Sequence, residues 1–289
     1  MSHFTISVVL PAKNEAGAIG NVIEAVRQQL PQAEILVVDD GSTDETGSIA
    51  KSAGARVISH RYSMGNGAAI KTGARSATGD IIVFMDADGQ HDPADIRRLI
   101  EKIDEGYEMV VGARSGNAHA NAGRGIANRL YNRLATYMTG QKIFDLTSGF
   151  RAVRANRFRE FLYLLPNGFS YPTTATMAFF RAGFSVAYVP IVASKRIGKS
   201  HISPLKDGLR FLLIIFKIGT LYSPLKLFVP VALVHGLLGI GYYVYTYSVA
   251  ARLSIATVFM LTAAVTIFLI GLVSEQITAL MYKDSGESH

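Results

Sequence analysis

The 289-residue chain contains no cysteine, and only 18% of its residues are charged. The absence of cysteine excludes a disulfide framework and a cysteine-ligated metal site. Soluble proteins carry charges on about a quarter of their residues, so this low value excludes a uniformly soluble chain. An apolar fraction of 49% likewise excludes a disordered one. What remains is a chain that combines a folded domain with strongly apolar segments.

Two long uncharged segments lie near the C-terminus. Leu227–Ala251 is a run of 25 residues and Leu253–Ser274 a run of 22, with Arg252 between them. A membrane-spanning helix needs about 20 apolar residues, whereas shorter runs are typical of buried core helices. The two segments therefore predict a transmembrane hairpin whose ends lie on the same side of the bilayer. Two buried core helices are the alternative.

The distribution of basic residues predicts the orientation of this hairpin. Arg252 stands alone at the tip, whereas several basic residues flank the other end. They are Lys206, Arg210, Lys217, Lys226 and Lys283. The positive-inside rule then places the N-terminal domain and both termini of an integral membrane protein in the cytoplasm. No secretory signal precedes the first predicted strand.

The segment Ser203–Tyr222 has leucines on one helical face and basic residues beside it, a pattern typical of helices in the headgroup layer. A helix that docks on the N-terminal domain is the alternative. The predicted organisation is thus a domain over 1–202, an interfacial amphipathic helix region over 203–225, and a transmembrane hairpin with a short cytoplasmic tail over 226–289.

Residues 4–115 alternate short β-branched runs with helix-length amphipathic segments, which predicts an α/β domain with a mostly parallel sheet. The predicted strands are Ile6–Leu10, Glu34–Asp39, Arg56–Ser59, Ile81–Met85 and Met109–Gly112. The predicted helices are Gly17–Gln29, Asp44–Ala53, Gly67–Ser76 and Asp92–Glu105. In such sheets, ligands bind beyond the carboxyl ends of the strands.

Acidic side chains follow three of the predicted strands. Glu15 follows the first strand, Asp40 the second, and Asp86 and Asp88 the fourth. Carboxylates in an Asp-x-Asp pair can point the same way and bind Mg²⁺ or Mn²⁺, with an oxygen of Gln90 as a further ligand. A solvated acidic loop is the alternative for this pair. Asp44 fits an N-cap of the helix that follows.

Six short motifs in a fixed order resemble family 2 glycosyltransferases, which have a GT-A fold. They are Pro11-x-x-Asn14-Glu15, Asp39-Asp40-Gly-Ser-x-Asp44, Gly65-x-Gly67-Ala-Ala-x-x-x-Gly73, Asp86-x-Asp88, Asp145-Leu-Thr-Ser148-Gly149-Phe150-Arg151 and Arg196-Ile-Gly-Lys199-Ser200. The last two are similar to the dolichol-phosphate mannosyltransferase-like branch, the polyprenyl-phosphate glycosyltransferases. The resemblance implies a Rossmann-like GT-A domain before the interfacial helix and the hairpin.

The resemblance also implies roles for individual residues. The residues expected to bind the nucleotide-sugar are Pro11, Asn14, Glu15, Asp40, Gly67 and Asp86. The residues expected to bind Mg²⁺ or Mn²⁺ are Asp86, Asp88 and Gln90. The catalytic residues implied are Asp86, Asp88, Arg114 and Arg196. The residues expected at the acceptor phosphate, where arginine is a favoured partner, are Arg114, Arg124, Asn128, Ser148, Arg151 and Lys199.

Two of these groups have other interpretations. Asn14 and Glu15 also fit the N-terminus of a helix, where acidic side chains are favoured. Arg124 and Asn128 share one face of a predicted helix over Gly123–Gly140, similar to an interface helix that holds the lipid phosphate. For Arg129 and Arg133 on the same helix, a basic face that contacts anionic lipid is the alternative.

The implied reaction is an inverting transfer of a hexose from a nucleotide-sugar, of GDP-mannose or UDP-glucose type, to a polyprenyl or dolichyl phosphate. A phosphate with a second pKa near ~6 is already largely anionic at neutral pH and needs no general base. Asp145 is the residue that would otherwise be the base. The partners implied are the donor, the lipid phosphate and the bilayer, with no nucleic acid; the hairpin could also pair with copies of itself.

Other functions stay open at this stage. The protein could use a different membrane lipid as acceptor, or be an inactive membrane scaffold with a transferase-like domain. A processive polysaccharide synthase would require a Gln-x-x-Arg-Trp segment, and the chain has no tryptophan. A sugar nucleotidyltransferase would require a glycine-rich basic loop near the N-terminus, where Pro11–Gly20 contains only Lys13.

Overall fold

The computed structural model describes residues 4–114, 122–168, 170–192, 216, 219, 220 and 222–281, and for 122–128 only the backbone. The chain divides into two compact units, Met1–Ser203 and Pro204–His289. Most of the predicted interfacial helix over 203–225 lies outside the described residues.

The N-terminal unit is built on a seven-stranded mixed sheet with the strand order β3-β2-β1-β4-β6-β5-β7. Its strands are β1 (Ile6–Ala12), β2 (Glu34–Asp39), β3 (Arg56–Ser59), β4 (Ile81–Phe84), β5 (Met109–Arg114), β6 (Arg151–Arg154) and β7 (Val186–Ile191). The helices between them are α1 (Ile19–Gln29), α2 (Thr46–Ser52), α3 (Asn66–Ser76), α4 (Asp95–Asp104), α5 (Ala122–Thr139), α6 (Ala155–Arg159) and α7 (Tyr171–Arg181).

The central strands are continuous apolar runs because helices cover both faces of the sheet. All four residues of β4 are buried, as are Val8 to Leu10 of β1. Four apolar residues of α4 are buried at the spacing of one helical face, and they contribute to the main core together with α1. These residues are Ile96, Leu99, Ile100 and Ile103. Burial of this stripe fixes the helix on the sheet.

β6 is the one strand of the described sheet that runs antiparallel to its neighbours, β4 and β5. Its start therefore lies at the same edge of the sheet as the carboxyl ends of the parallel strands. As a result, Thr147 and Gly149, which precede β6, reach the edge where Asp40 and Asp86 follow β2 and β4.

The prediction of an α/β domain with a mostly parallel sheet is confirmed, and all five predicted strands are present. The helices α1, α2 and α4 begin two or three residues later than predicted, because turns follow the strands before each helix starts. Asp44 is not the N-cap of α2: Glu45 occupies that position, and Asp44 accepts a hydrogen bond from the Thr46 backbone N–H at 3.1 Å.

The C-terminal unit is a hairpin of two 27-residue helices, α8 (Pro224–Ala250) and α9 (Ile255–Met281). Both are long and apolar enough to cross a membrane. Only 11% of the most apolar 18-residue window is buried in each helix, which disfavours the alternative of two buried core helices. Ala251, in the left-handed conformation, ends α8 at the turn that joins the two helices.

Small residues line the contact between the two helices. The buried residues of α9 recur every seventh position, and Ala232 and Gly239 of α8 share that spacing. The four positions in α9 are Thr257, Ala264, Gly271 and Thr278. A seven-residue repeat is typical of helix pairs with a left-handed supercoil, and small side chains allow the backbones to approach.

At the open end of the hairpin, a carboxylate of α9 meets the N-terminus of α8. The backbone N–H of Leu225 donates to Glu275 Oε2 at 3.2 Å. A negative side chain is favourable there because the first N–H groups of a helix have no partner within the helix. This contact links residues 50 positions apart and fixes the relative register of the helices.

Gly271 is expected to be essential to the packing of the hairpin. A Cβ atom at this position would lie 2.6 Å from Cβ of Phe228, whereas one at Gly241 would have no neighbour within 4 Å. We expect Gly271→Ala to cost about 1–3 kcal/mol through overpacking, and Gly241→Ala to cost nothing. Thermal unfolding in detergent micelles, followed by circular dichroism, measures both. Equal midpoints for the two variants would contradict this packing.

Candidate active site

A cavity of about 450 Å³ opens at the carboxyl edge of the parallel strands. Its lining comes from segments far apart in the sequence, which meet only because their strands share this edge. The lining residues predicted from the sequence are Pro11, Glu15, Asp40, Asp86, Asp88 and Gln90. The volume is within the range of about 300–1,000 Å³ typical of small-molecule sites.

One wall of the cavity carries the Asp-x-Asp pair. Asp86, Asp88 and Gln90 all line it, and the backbone N–H of Gln90 donates to Asp88 Oδ1 at 3.1 Å, which shapes the turn after β4. The Asp86 side chain is 37% exposed, and its Oδ2 atom lies 3.7 Å from Nε2 of His91. Within the described part of the chain, no lysine or arginine forms an ion pair with Asp86.

The donor set of this wall fits a hard divalent cation. The described residues contain no cluster of three or more His, Cys, Asp or Glu side chains that could hold a metal ion. Mg²⁺ and Mn²⁺ sites of phosphate-transferring proteins often have one or two carboxylates, with substrate phosphates as further ligands. Two carboxylates and the Gln90 amide facing a cavity of this size match that arrangement.

Asp40 lines the cavity, but its carboxylate is fully occupied by the protein. Oδ1 accepts hydrogen bonds from His60 Nδ1 and the Met64 N–H, and Oδ2 from Ser63 Oγ and the Gly65 N–H, each at 2.8 Å. Burial alone would raise the pKa of Asp40, but these bonds hold it below its ordinary value. A carboxylate has about four lone-pair sites, so these bonds use all of them. The predicted contact of Asp40 with the nucleotide stays a prediction. Asp40 orders the loop that forms the cavity wall.

Asn14 also has a positioning role rather than a place in the cavity lining. Its backbone is in the left-handed region, with φ of 55°, and its N–H donates to Ser42 Oγ. Its Oδ1 atom accepts from the Thr43 N–H at 2.8 Å. These bonds join the loop after β1 to the loop after β2. Helix α1 begins at Ile19 and its N-cap is Ala18. Asn14 and Glu15 therefore precede the N-terminus of this helix and do not form it.

Gly67 is required by protein packing, and its assignment to the donor site stays a prediction. A Cβ atom at Gly67 would lie 2.1 Å from the carbonyl oxygen of Pro166 and 2.8 Å from that of Gly168. Gly65 has φ of 102° and a similarly close neighbour in Asn167. The two glycines let the start of α3 pack closely against the segment 166–168. Gly65 lines the cavity, whereas Gly67 does not.

Arg114 forms an ion pair with Asp145 next to the cavity. Its Nε and Nη2 atoms donate to the two carboxylate oxygens at 2.8 and 3.0 Å, and Nη2 also donates to Thr147 Oγ1, a cavity-lining residue. Burial alone would raise the pKa of Asp145, but Arg114 and neighbouring N–H groups hold it below its ordinary value. Burial and Asp145 act on the pKa of Arg114 in opposite directions, and Asp145 raises it. Asp145 is therefore a carboxylate in a filled network, ill suited to act as a base.

Arg151 is fully buried, which disfavours a direct contact of its side chain with the acceptor phosphate. Its guanidinium donates to the carbonyl oxygens of Ser148 and Pro172 and to Thr176 Oγ1. Burial lowers its pKa from the ordinary arginine value. Ser148 is also buried, with 1% exposure, so neither side chain faces a ligand. Both residues hold the segment before β6 against α7.

Four predicted residues lie outside what the structure describes. They are Arg196 and Lys199, and the side chains of Arg124 and Asn128. The backbone of α5 spans Ala122–Thr139, close to the helix predicted over Gly123–Gly140. The catalytic or phosphate-binding roles of these four residues stay predictions.

Sequence reasoning missed several residues that line or support the cavity. Lys13 lines it and donates to Ser63 Oγ at 2.9 Å; Thr147 and Tyr171 line the opposite side. His60 bridges Asp40 and Thr72. Lys13 and Thr147 lie inside two of the six motifs, so their positions in the sequence could have indicated that they line the cavity. Tyr171 has no such signal, because only the packing of α7 brings it to the cavity.

The mixed sheet, the cavity at its carboxyl edge and the Asp-x-Asp wall define a GT-A-type glycosyltransferase. A crystal structure of glucosyl-3-phosphoglycerate synthase from Mycobacterium tuberculosis, in complex with Mn²⁺, uridine diphosphate and glucosyl-3-phosphoglycerate, is similar in fold. The two share 26% sequence identity with a TM-score of 0.60, over 75% of this chain and 79% of the other.

Residues 7–162 match the family described as glycosyl transferase family 2, and residues 223–280 match the GtrB C-terminal hairpin. The chain belongs to glycosyl transferase family 2. A polyprenol monophosphomannose synthase of Mycolicibacterium smegmatis is 33% identical over 216 residues, 68% of this chain and 80% of the relative. A dolichyl-phosphate hexose transferase of Haloferax volcanii is 29% identical over 214 residues, 72% of this chain and 92% of the relative. The resemblance inferred from the motifs is confirmed.

Asp145 is expected to stabilise the fold as a charged group. We expect Asp145→Asn to lower the free energy of unfolding by about 3 kcal/mol at neutral pH, because Arg114 loses its buried partner. The pKa of Asp145 is lower in the folded chain, so its contribution is present above the unfolded value of 3.8 and is lost as the pH falls through the folded value. The difference between wild type and variant should therefore shrink in acid.

Urea unfolding at about pH 7 and about pH 3, followed by circular dichroism, measures this difference. Asp104→Asn is the control, since Asp104 is an exposed residue at the end of α4. A difference between wild type and Asp145→Asn that is the same at both pH values would contradict the charged role of Asp145.

Proposed function

We propose that the protein transfers a hexose from a nucleotide-sugar to a polyprenyl phosphate, with inversion at the anomeric carbon. The observation that carries this proposal is the combination, in one chain, of an Asp-x-Asp cavity wall and an apolar helical hairpin. The cavity supports a nucleoside diphosphate donor, and the hairpin supports an acceptor that resides in the bilayer. The names of the two relatives agree with this substrate pair.

Asp86, Asp88 and Gln90 are the residues that would hold Mg²⁺ or Mn²⁺. When bound, the cation would neutralise the diphosphate and stabilise it as the leaving group. Three carboxylates line the cavity besides that of Asp40, and Lys13 is the cationic side chain among its lining residues. An anionic donor would therefore be repelled by this surface unless a cation accompanied it.

The acceptor determines whether a general base is needed. Asp145, the carboxylate next to the cavity, is held by Arg114, Thr147 and the Ser148 N–H. A phosphate acceptor removes the need for a base, since its oxygen is already anionic near neutral pH. The protein would then contribute position and electrostatic stabilisation, with Arg114, Arg124, Arg196 and Lys199 proposed as the cationic partners of the phosphates.

One side of α5 fits contact with an anionic lipid surface. Arg129, Leu130, Arg133 and Tyr137 are all exposed on this helix, at spacings of three and four residues. A mixture of basic and large apolar side chains on one helical face is typical of helices that lie in the headgroup layer. This supports the alternative in which Arg129 and Arg133 bind lipid headgroups rather than solvent alone.

We also propose the membrane topology. The charges that flank the hairpin favour an N-terminal unit and both termini in the cytoplasm, where nucleotide-sugars are available. The hairpin would keep the enzyme at the bilayer and so raise the effective concentration of a lipid acceptor. The donor base and sugar are proposed only as a class, the GDP-mannose or UDP-hexose type.

The acceptor is tested with the full-length protein in liposomes. We expect label from a nucleotide-sugar to move to polyprenyl phosphate at a rate at least about 100-fold above that for the unphosphorylated polyprenol, because the alcohol would need a base. Scintillation counting of the extracted lipid gives both rates. Glucosylation of 3-phosphoglycerate without any transfer to lipid would contradict the proposal, and so would equal use of the two lipids.

The metal requirement is tested with Asp88→Asn. We expect this variant to lose transfer by about 100-fold or more, since one charged ligand of the diphosphate-bound cation is removed. Asp104→Asn, which changes the same charge at an exposed site outside the cavity, should keep wild-type activity. Radiolabel transfer is measured with Mg²⁺, with Mn²⁺ and with EDTA. Undiminished wild-type transfer in EDTA would rule out the metal site.

A further inference from the structure

The Asp86 carboxylate lies in a pocket formed by the start of the antiparallel strand. Phe84 pairs with Arg151 in the β4–β6 register, so Gly149 comes opposite Asp86 just beyond the paired residues. A Cβ atom on Gly149 would lie 3.2 Å from Oδ2 and 3.4 Å from Oδ1 of Asp86. The missing side chain thus leaves the space that the carboxylate occupies. A larger residue would require the carboxylate to shift by a few tenths of an ångström or more.

His91 closes the same pocket from another side. Its side chain is only 6% exposed, and its Nε2 atom lies 3.7 Å from Asp86 Oδ2. The ring stacks on Phe150, with centroids 5.0 Å apart and an angle of 26° between the planes. Phe150 immediately follows Gly149, so one short segment sets both the space for Asp86 and the orientation of His91.

The second ring nitrogen of His91, Nδ1, indicates that packing alone does not account for a histidine at this position. Nδ1 is buried and has no hydrogen-bond partner among the residues that the structure describes. A buried polar atom without a partner is unfavourable, and packing alone would be served better by an apolar ring. The other ring nitrogen, Nε2, faces the Asp86 carboxylate.

The Gly149 segment is itself held in place from behind. Tyr171 is fully buried, and its hydroxyl donates to the carbonyl oxygen of Gly149 at 3.3 Å. Arg151 donates to the carbonyl oxygen of Ser148 from the buried side. The walls around Asp86 are therefore fixed by interactions that do not depend on a bound ligand.

We propose that His91 and Gly149 are positioning residues that hold the Asp86 carboxylate in the orientation required to bind the metal and donor diphosphate. The inference rests on the proposed function, since it assumes that Asp86 acts there. Groups that orient a metal-binding carboxylate change metal affinity by about 10–100-fold when they are removed. Neither residue touches the reacting atoms, so the effect falls on metal affinity rather than on the rate at saturating metal.

The test measures Mn²⁺ affinity of the full-length protein in detergent, by the electron paramagnetic resonance signal of free Mn²⁺ in the presence of uridine or guanosine diphosphate. His91→Phe keeps the aromatic contact with Phe150 and removes the ring nitrogens. Gly149→Ala adds one methyl group beside Asp86. We expect each variant to weaken Mn²⁺ binding about tenfold or more. The Mn²⁺ concentration for half-maximal transfer should rise in parallel, with kcat at saturating Mn²⁺ within about twofold of wild type.

Two further variants distinguish positioning from packing. His91→Gln retains a side-chain N–H and should restore Mn²⁺ affinity to within about threefold of wild type. Gly17→Ala adds the same methyl group where no atom lies within 4 Å, and should leave the affinity unchanged. If His91→Phe does not fold, the Mn²⁺ affinity of Gly149→Ala still tests whether the walls around Asp86 position its carboxylate.

Wild-type Mn²⁺ affinity in both Gly149→Ala and a folded His91→Phe would overturn the inference. A His91→Gln variant as weak as His91→Phe would assign His91 to packing and would also overturn its positioning role. These outcomes differ from a failure of the proposed function, in which the wild-type protein itself would bind no Mn²⁺ with either nucleotide and would transfer sugar in EDTA.

Discussion

The crowding of carboxylates at one edge of the sheet is the constraint on which the rest of the N-terminal unit depends. Asp40 follows β2, and Asp86 and Asp88 follow β4, on the two sides of β1. Like charges at short range are unfavourable unless each is compensated. The protein compensates them differently. Asp40 receives four internal hydrogen bonds, and the nearby Asp145 pairs with Arg114. Asp86 faces the cavity with His91 Nε2 at 3.7 Å, and no lysine or arginine among the described residues forms an ion pair with it. The Asp86 carboxylate is therefore accessible from the cavity.

The antiparallel strand β6 is what completes the cavity. Among the parallel strands, β1, β2 and β4 are followed at this edge by acidic groups, and β5 ends there with Arg114. Because β6 runs the other way, the segment before it arrives at the same edge with Thr147 and Gly149, and with the Arg114–Asp145 pair beside it. The segment before β6 thus contributes space at Gly149, and its Asp145 is compensated by the Arg114 guanidinium at the end of β5.

The hairpin obeys a different physical rule from the sheet. In the N-terminal unit, apolar burial selects which residues are inside; in α8 and α9 most large apolar side chains are exposed, and the contact uses small residues instead. Helices in a bilayer gain little from burying apolar surface against each other, so close backbone packing and polar contacts decide their register. The Gly271–Phe228 approach and the Glu275 contact with the start of α8 are of this kind.

The sequence by itself determined the α/β pattern, the two membrane-length helices, the family and the position of the Asp-x-Asp wall, because these follow from local periodicity, run length and motifs placed at strand ends. It did not determine which motif residues face the ligand. Asp40, Gly67 and Arg151 carry the family pattern. The Asp40 carboxylate is hydrogen-bonded to the loop it orders, Gly67 packs against Pro166, and the Arg151 side chain, at the start of β6, is buried. His91 and Tyr171 acquire their neighbours only through the antiparallel pairing of β6 and the packing of α7. A polar side chain binds its own chain when the fold brings hydrogen-bond partners to it, and is otherwise available to a ligand. Contacts between residues tens of positions apart exist only in the folded molecule, so the sequence alone does not show them.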